Sequence, residues 1–185
     1  FTTGMAASRV FGQGGSFTTN AANNGGVSAN SLNIPDGLAV SGTALFVLDA
    51  GNYRILVFNN PATDFMADAA IGQANLDTGV GTAASSTRFA AFLGALALDS
   101  QGRLHLAAYN QNRVLRFSPP FATNMAADLV IGQPDFSSTA QSVTSTGLNG
   151  PIGIAFDPAD NLLVSDLIGN RILRYPAPLG SAMAA

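Results

Sequence analysis

The chain has 185 residues, 47% hydrophobic and 10% charged, with a formal net charge of −3 and no cysteine, lysine or glutamate. That composition supplies a core but lacks the two charged residues that favour solvated helix faces, and it excludes disulfides, thiolate metal sites and cysteine nucleophiles. Without clustered Lys and Arg there is no general attraction to nucleic acid or anionic lipid, and no apolar run is long enough for a membrane helix.

In chain order, Phe1 stands where an initiator Met or charged leader would be, which reads as a processed product, an excised fragment or an expressed piece. Residues 1–13 read as a lone terminal strand over Ser8–Gln13, residues 14–73 as a first unit, 74–133 as a second and 134–185 as a third. Each unit opens with an insert (14–31, 74–88, 135–147) and continues in short apolar runs named a, b, c and d. In the second unit these are Gly94–Leu98, Leu104–Ala107, Arg113–Phe117 and Leu129–Gln133. Ser41-Gly42-Thr43, Asp99-Ser100-Gln101-Gly102 and Asp157-Pro158-Ala159-Asp160 supply a–b turns. The third unit carries a, b and c and stops before d, whereas the terminal strand is a d run with no a, b or c before it.

Three anchors fix the period, one of them Gly37–Val40, Gly94–Asp99 and Gly153–Asp157, each followed by a turn and another apolar run. Val10-Phe11-Gly12-Gln13, Ala70-Ile71-Gly72-Gln73 and Val130-Ile131-Gly132-Gln133 recur every 60 residues. Asp49–Phe58 recurs as Ala108–Phe117 and Asp166–Tyr175, with Arg54, Arg113 and Arg171 in phase. A fixed period of this length implies a repeat architecture. A four-stranded antiparallel unit cannot bury both faces alone, so the fold class is all-β, with three four-stranded blades stacked radially as in a β-propeller. Three blades fall short of the usual four to eight. The expected completion is in trans, the d strand of one chain closing the third blade of another in a six-bladed ring, or an open head-to-tail filament. The alternative is a piece of a longer propeller.

The runs Ile34-Pro35-Asp36-Gly37-Leu38-Ala39-Val40 with Leu45–Phe58, and Gly150–Tyr175, resemble the NHL repeat of β-propellers, and the likeness covers all three units. The Gly12–Gly26 stretch looks like the Gly-Gln and Asn-rich inserts of bacterial members, a resemblance that implies an extracellular or cell-surface location. The resemblance implies a fold more than a task, since it spans RNA binders, protein-interaction modules, a lyase and lactonase-like relatives. The second unit departs from the pattern at Ala108, in place of Asp49 and Asp166, and at Phe92-Leu93-Gly94, in place of Pro35-Asp36-Gly37.

Antiparallel order puts the b–c loops on the same face as the inserts. Asn52, Tyr53, Tyr109, Asn110 and Asn170 on that face are the candidate binding residues for protein or glycan, the alternative being that such Asn and Gly residues satisfy turn geometry. The pairs Asp49/Arg54 and Asp166/Arg171 read as structural staples across a tight turn, a pairing that Ala108 removes from the second unit. Asp157, Asp160 and Asp166 do not have EF-hand spacing, and His105, inside an apolar strand, reads as a packed histidine, so no metal ligands, cofactor or catalytic residues are assigned. The expected function is a non-enzymatic scaffold for self-association or for binding protein or glycan, without nucleic acid or membrane insertion. A metal-dependent lactonase-like or lyase-like propeller enzyme, a structural filament and an RNA binder are the alternatives.

Overall fold

The computed structural model describes residues 2–90 and 93–185; Phe1 and Phe92, used above in the repeat alignment and in the turn before the second a run, lie outside them. The chain forms β1 (Pro35–Ser41), β2 (Ala44–Asp49), β3 (Arg54–Phe58), β4 (Ala69–Ile71), β5 (Leu96–Leu98), β6 (Leu104–Ala108), β7 (Arg113–Phe117), β8 (Leu129–Ile131), β9 (Pro151–Phe156), β10 (Leu162–Asp166) and β11 (Arg171–Tyr175). They make two four-stranded sheets, β1-β2-β3-β4 and β5-β6-β7-β8, and one three-stranded sheet, β9-β10-β11. Every neighbouring pair is antiparallel.

β1 lies against β5, and β5 against β9. The first strands of the sheets are therefore side by side and the later strands fan away from them, the arrangement of successive blades in a β-propeller. Strands β3 and β6 are buried along their whole length, which explains why they read as continuous apolar runs instead of alternating ones. One apolar cluster, with Phe46, Leu48, Leu104 and Phe117, lies between the first two sheets. A second, with Val114, Ile131, Val164 and Tyr175, joins the second and third.

A third cluster covers the outer side of the first sheet, where residues 11–32 fold back over Val47, Leu56 and Phe58. Phe11 meets Phe58 edge-on at 5.2 Å between ring centroids. Beyond this cover the outer faces are apolar and open: Leu38 and Val40 on β1 are 64% and 67% exposed, and Ile172 on β11 is 71% exposed.

Several sequence expectations are corrected here. Within this chain Ser8–Gln13 makes only the bridge from Gln13 to Ser31, with no c strand beside it to supply a ladder. The d runs end at Ile71 and Ile131, before Gly-Gln, since Gly72 and Gly132 take φ of +96° and +89° and leave the extended region. The second a run begins at Leu96, not Gly94. Leu38, Leu96 and Ile154 sit opposite Val47, Leu106 and Val164, so Gly37 is level with Ala95 and Gly153, and Gly94 lies one step earlier. A Cβ at Gly94 would collide with the Ala107 carbonyl oxygen, which is why the match by glycine slipped by one residue.

Candidate functional site

The b–c turns of the three sheets lie at the end of the structure that also carries the inserts. Asp49–Arg54 shows how one turn is built. Ala50–Asn52 form a single 3-10 turn, and Tyr53 closes it in the left-handed region with φ of +54°. Asn112 and Asn170 close the other two turns at +50° and +49°, where asparagine is among the non-glycine residues most tolerant of that backbone.

Arg54 is wholly buried. Its Nε donates to Asp49 Oδ2 at 2.7 Å, and its Nη2 donates to the carbonyls of Ser28 and Ser31 at 3.0 Å each. Its Nη1 donates to the Leu76 carbonyl of the following insert at 2.5 Å. Asp49 Oδ1 accepts the Asn33 amide at 2.7 Å. One Asp–Arg pair therefore ties the preceding insert, the turn and the following insert together. Asp166 and Arg171 repeat this with a 2.8 Å ion pair, an Asn149 amide bonded to Asp166 Oδ1 at 2.6 Å, and the Gly147 carbonyl accepting from Arg171 Nη2 at 2.8 Å.

The second unit keeps the arginine without the aspartate. Arg113 donates to the carbonyls of Arg88 at 3.0 Å and of Phe136, and its Nη2 finds Gln111 Oε1 at 2.6 Å where the other units have carboxylates. Gln111 stands at the position of Asn52, two residues before the arginine. Burial of a guanidinium with no carboxylate on its turn lowers the Arg113 pKa to about 10, and its Nε has no partner among the described residues.

The Gly-Gln signature belongs to the same assembly. Gln73 Nε2 donates to the Tyr53 carbonyl at 3.1 Å and the Val80 carbonyl at 3.0 Å; Gln133 Nε2 donates to the Asn112 and Ala140 carbonyls, both at 2.8 Å. Each glutamine pins the insert after it to the turn before it. Its glycine has no room for a side chain, because a Cβ at Gly72 would lie 2.6 Å from the Phe89 ring and one at Gly132 2.5 Å from Leu148. Gln13 makes only the insert half of this pattern, to the Ala21 carbonyl at 3.0 Å, and its Oε1 is buried without a partner. A recess of about 450 Å³, lined by Phe11, Gln13, Leu32 and Ile34 among others, lies beside it.

Asn52 is 2% exposed and bonded to Asp49 Oδ2 at 2.7 Å and to Asn23 at 2.7 and 2.9 Å. Tyr53 and Tyr109 are half-buried, and Asn110 and Asn170 are exposed, Asn170 with its Nδ2 on the Ile168 carbonyl at 3.2 Å. The five residues lie on three successive turns, not in one cavity. Asn170 and Arg171 line a recess of about 470 Å³ on the open side of the third sheet.

At the same end, Asp36 stands exposed on β1, the innermost strand of its sheet, with Oδ2 accepting the Gly94 amide of the next unit at 2.7 Å. Asp36 appears in the sequence only within the repeat run Pro35-Asp36-Gly37, and the side chains of Gln73 and Gln133 only within the recurring Gly-Gln. The 60-residue recurrence of the glutamines was the signal that a side chain, not just a backbone, is repeated.

The remaining carboxylates serve turns. Asn161 Nδ2 donates to both carboxylate oxygens of Asp157 at 2.8 Å, with the Asn161 and Ala159 backbone amides on Oδ1 at 2.9 Å, and the Ser100 hydroxyl and then its backbone amide, at 3.0 Å, donate to Asp160; these bonds hold both carboxylates below their usual range. His105 is fully buried, edge-on to Phe156 at 4.7 Å, with Nδ1 on the Arg103 carbonyl and Nε2 4.0 Å from Asp99. Burial drives its pKa down to about 4. Among the described residues no three His, Asp, Glu or Cys side chains gather as a metal site.

No family model and no curated protein matches the chain. Among solved structures it is similar to virginiamycin B lyase from Staphylococcus aureus, at 16% identity over 79% of this chain and 42% of that one, with a TM-score of 0.47. It is also similar to a streptogramin B lyase, at 14% identity over 80% of this chain and 42% of that one, TM-score 0.46. A catalytically inactive virginiamycin B lyase from S. aureus with quinupristin aligns at 15% identity over 80% and 42%, TM-score 0.47. The chain thus spans less than half the length of these structures. These neighbours are named as lyases, where a non-enzymatic scaffold for self-association or for protein and glycan binding was expected for this chain; that expectation is not carried forward.

Proposed function

We propose that the chain is a three-sheet stretch of an NHL-type propeller enzyme of the lactonase-like or lyase-like kind, with its reaction site at the insert-bearing mouth of the channel beside the first strands. The observation that carries this reading is Asp36. It is an exposed carboxylate on an innermost strand, oriented through one oxygen by the Gly94 amide at 2.7 Å. A carboxylate held that way is suited to act as a general base, taking a proton from carbon in an elimination or from water in a hydrolysis. Among the described residues the donor set does not form a metal site, so the reading derives no metal step from it.

The test is incubation with cyclic ester probes, followed by mass and ultraviolet spectra. Elimination opens the ring with no change of mass and leaves a conjugated double bond; hydrolysis adds one water. Asp36→Asn is expected to lower turnover by at least 100-fold, the lower range for losing a positioned base. Turnover that is absent with and without added divalent cations, or unchanged in Asp36→Asn, overturns the reading.

A further inference from the structure

The sequence holds two Asn-Gly pairs, Asn24-Gly25 in the first insert and Asn149-Gly150 just after the third, and the fold treats them in opposite ways. In such a pair the glycine's missing Cβ lets its backbone nitrogen approach the carbonyl carbon of the asparagine side chain. How often it does so depends on how firmly the local backbone is held.

Asn149-Gly150 is held. Gly150 is buried, and its amide donates to Asn112 Oδ1 at 2.9 Å. The Asn149 amide donates to Asp166 Oδ1 at 2.6 Å, and the Asn149 carbonyl accepts the Ile168 and Gly169 amides at 3.1 and 3.3 Å. A Cβ on Gly150 would lie 2.8 Å from the Tyr109 ring, so this backbone has no room to swing.

Asn24-Gly25 is open. Both residues are exposed, and among the described residues neither the Asn24 side chain nor the Gly25 amide has a hydrogen-bond partner. Gly25 has φ of +87°, and a Cβ there would meet nothing within 4 Å. The exposure belongs to the insert itself. Asn23 donates its amide to the Leu32 carbonyl at 2.9 Å as Ser142 does to Leu148 at 3.1 Å. Val143 therefore holds the place of Asn24, between the second and third sheets, and it is 59% exposed.

The neighbour of this open pair is part of the core of the first turn. Asn23 exchanges hydrogen bonds with Asn52 at 2.7 and 2.9 Å, and Asn52 Nδ2 donates to Asp49 at 2.7 Å. The Gly26 amide closes the turn on the Asn23 carbonyl at 2.5 Å.

We propose that Asn24 is a site of spontaneous covalent modification, with water as the only co-reactant, and that its conversion loosens the first insert from the turn it covers. The Gly25 nitrogen bonds to Asn24 Cγ, and the side-chain nitrogen leaves as ammonia with the proton that Gly25 gives up. Water then opens the cyclic imide at either carbonyl, leaving aspartate or isoaspartate. Either product adds a negative charge beside Asn23, and isoaspartate also lengthens the main chain inside the turn that Gly26 closes.

The test ages the full chain in mildly alkaline buffer, folded and in denaturing urea, and follows it by peptide mass mapping with isoaspartate methyltransferase labelling. The peptide holding Asn24 is expected to gain one mass unit and to take the label, and the peptide holding Asn149 to change at least about tenfold more slowly. In urea the two are expected to convert at similar rates. Asn24→Gln, whose extra methylene demands a larger ring, is expected to stay unconverted. The converted chain, separated by ion exchange on its added charge, is expected to exchange its Asn23 amide hydrogen faster than the fresh chain. Folded-state conversion at Asn24 no faster than at Asn149, a difference that persists unchanged in urea, or an Asn23 amide as protected after conversion as before, each overturns the proposal.

Discussion

The first and second sheets solve one structural problem with different charges. In the first, a buried arginine faces a buried carboxylate, Asp49 to Arg54 at 2.7 Å. In the second, Ala108 leaves that place empty of charge and Gln111 accepts instead, at 2.6 Å. What both keep is the set of insert carbonyls around the guanidinium. The repeated task is therefore the gathering of two inserts onto one turn, and the carboxylate is a way of balancing the arginine, not the reason for it.

Removing the arginine separates the two solutions most sharply. Arg54→Met strands Asp49 as a buried charge and is expected to cost about 3–5 kcal/mol. Arg113→Met strands no charge, only carbonyls that lose their donors, and is expected to cost about 1–3 kcal/mol. Chemical denaturation of the two variants checks this, and equal losses would mean that the aspartate adds nothing to the turn.

The same contrast shows how much was legible in the chain. The Asp–Arg pairs, the three strands a, b and c and the turns between them follow from composition and phase, because local chemistry dictates them. The substitution of Gln111 for the carboxylate was not legible, since it enters from two residues before the arginine and only the folded turn brings it there. Asn52 illustrates the opposite error. An asparagine beside a glycine reads as a surface turn residue, yet Asn23, 29 residues earlier in the insert, closes over it. Ser8–Gln13 matches the d runs, and within this chain it has no third strand beside it to pair with.

A second pair of equivalent positions differs in pH response. Phe46 and His105 occupy the same place in β2 and β6, each fully buried, one against Phe121 and the other against Phe156. The folded state holds His105 neutral down to about pH 4, whereas an unfolded histidine takes its proton near 6.5. The group therefore contributes full stability above pH 6.5, and that contribution falls as pH drops toward 4, to a total of about 3 kcal/mol lost. His105→Phe is expected to flatten the stability profile between those values. A profile unchanged by the substitution would show that the histidine takes its proton at the same pH in the folded and unfolded chain.

The smallest effect lies at the end of the third strand, where Phe58, Phe117 and Tyr175 are equivalent and all buried. Only Tyr175 carries a hydroxyl there, and it has no partner among the described residues; burial raises its pKa to about 12. A hydroxyl moved from water into an apolar cluster without a hydrogen bond costs about 1–3 kcal/mol, part of which is recovered by its packing. Tyr175→Phe, which makes the third sheet match the other two, is expected to stabilise the chain by about 0.5–1 kcal/mol, read as a rise in midpoint at unchanged slope in urea. A loss of stability instead would mean that the hydroxyl is bonded in solution, and that the third sheet differs from the other two by one ordered polar contact in its core.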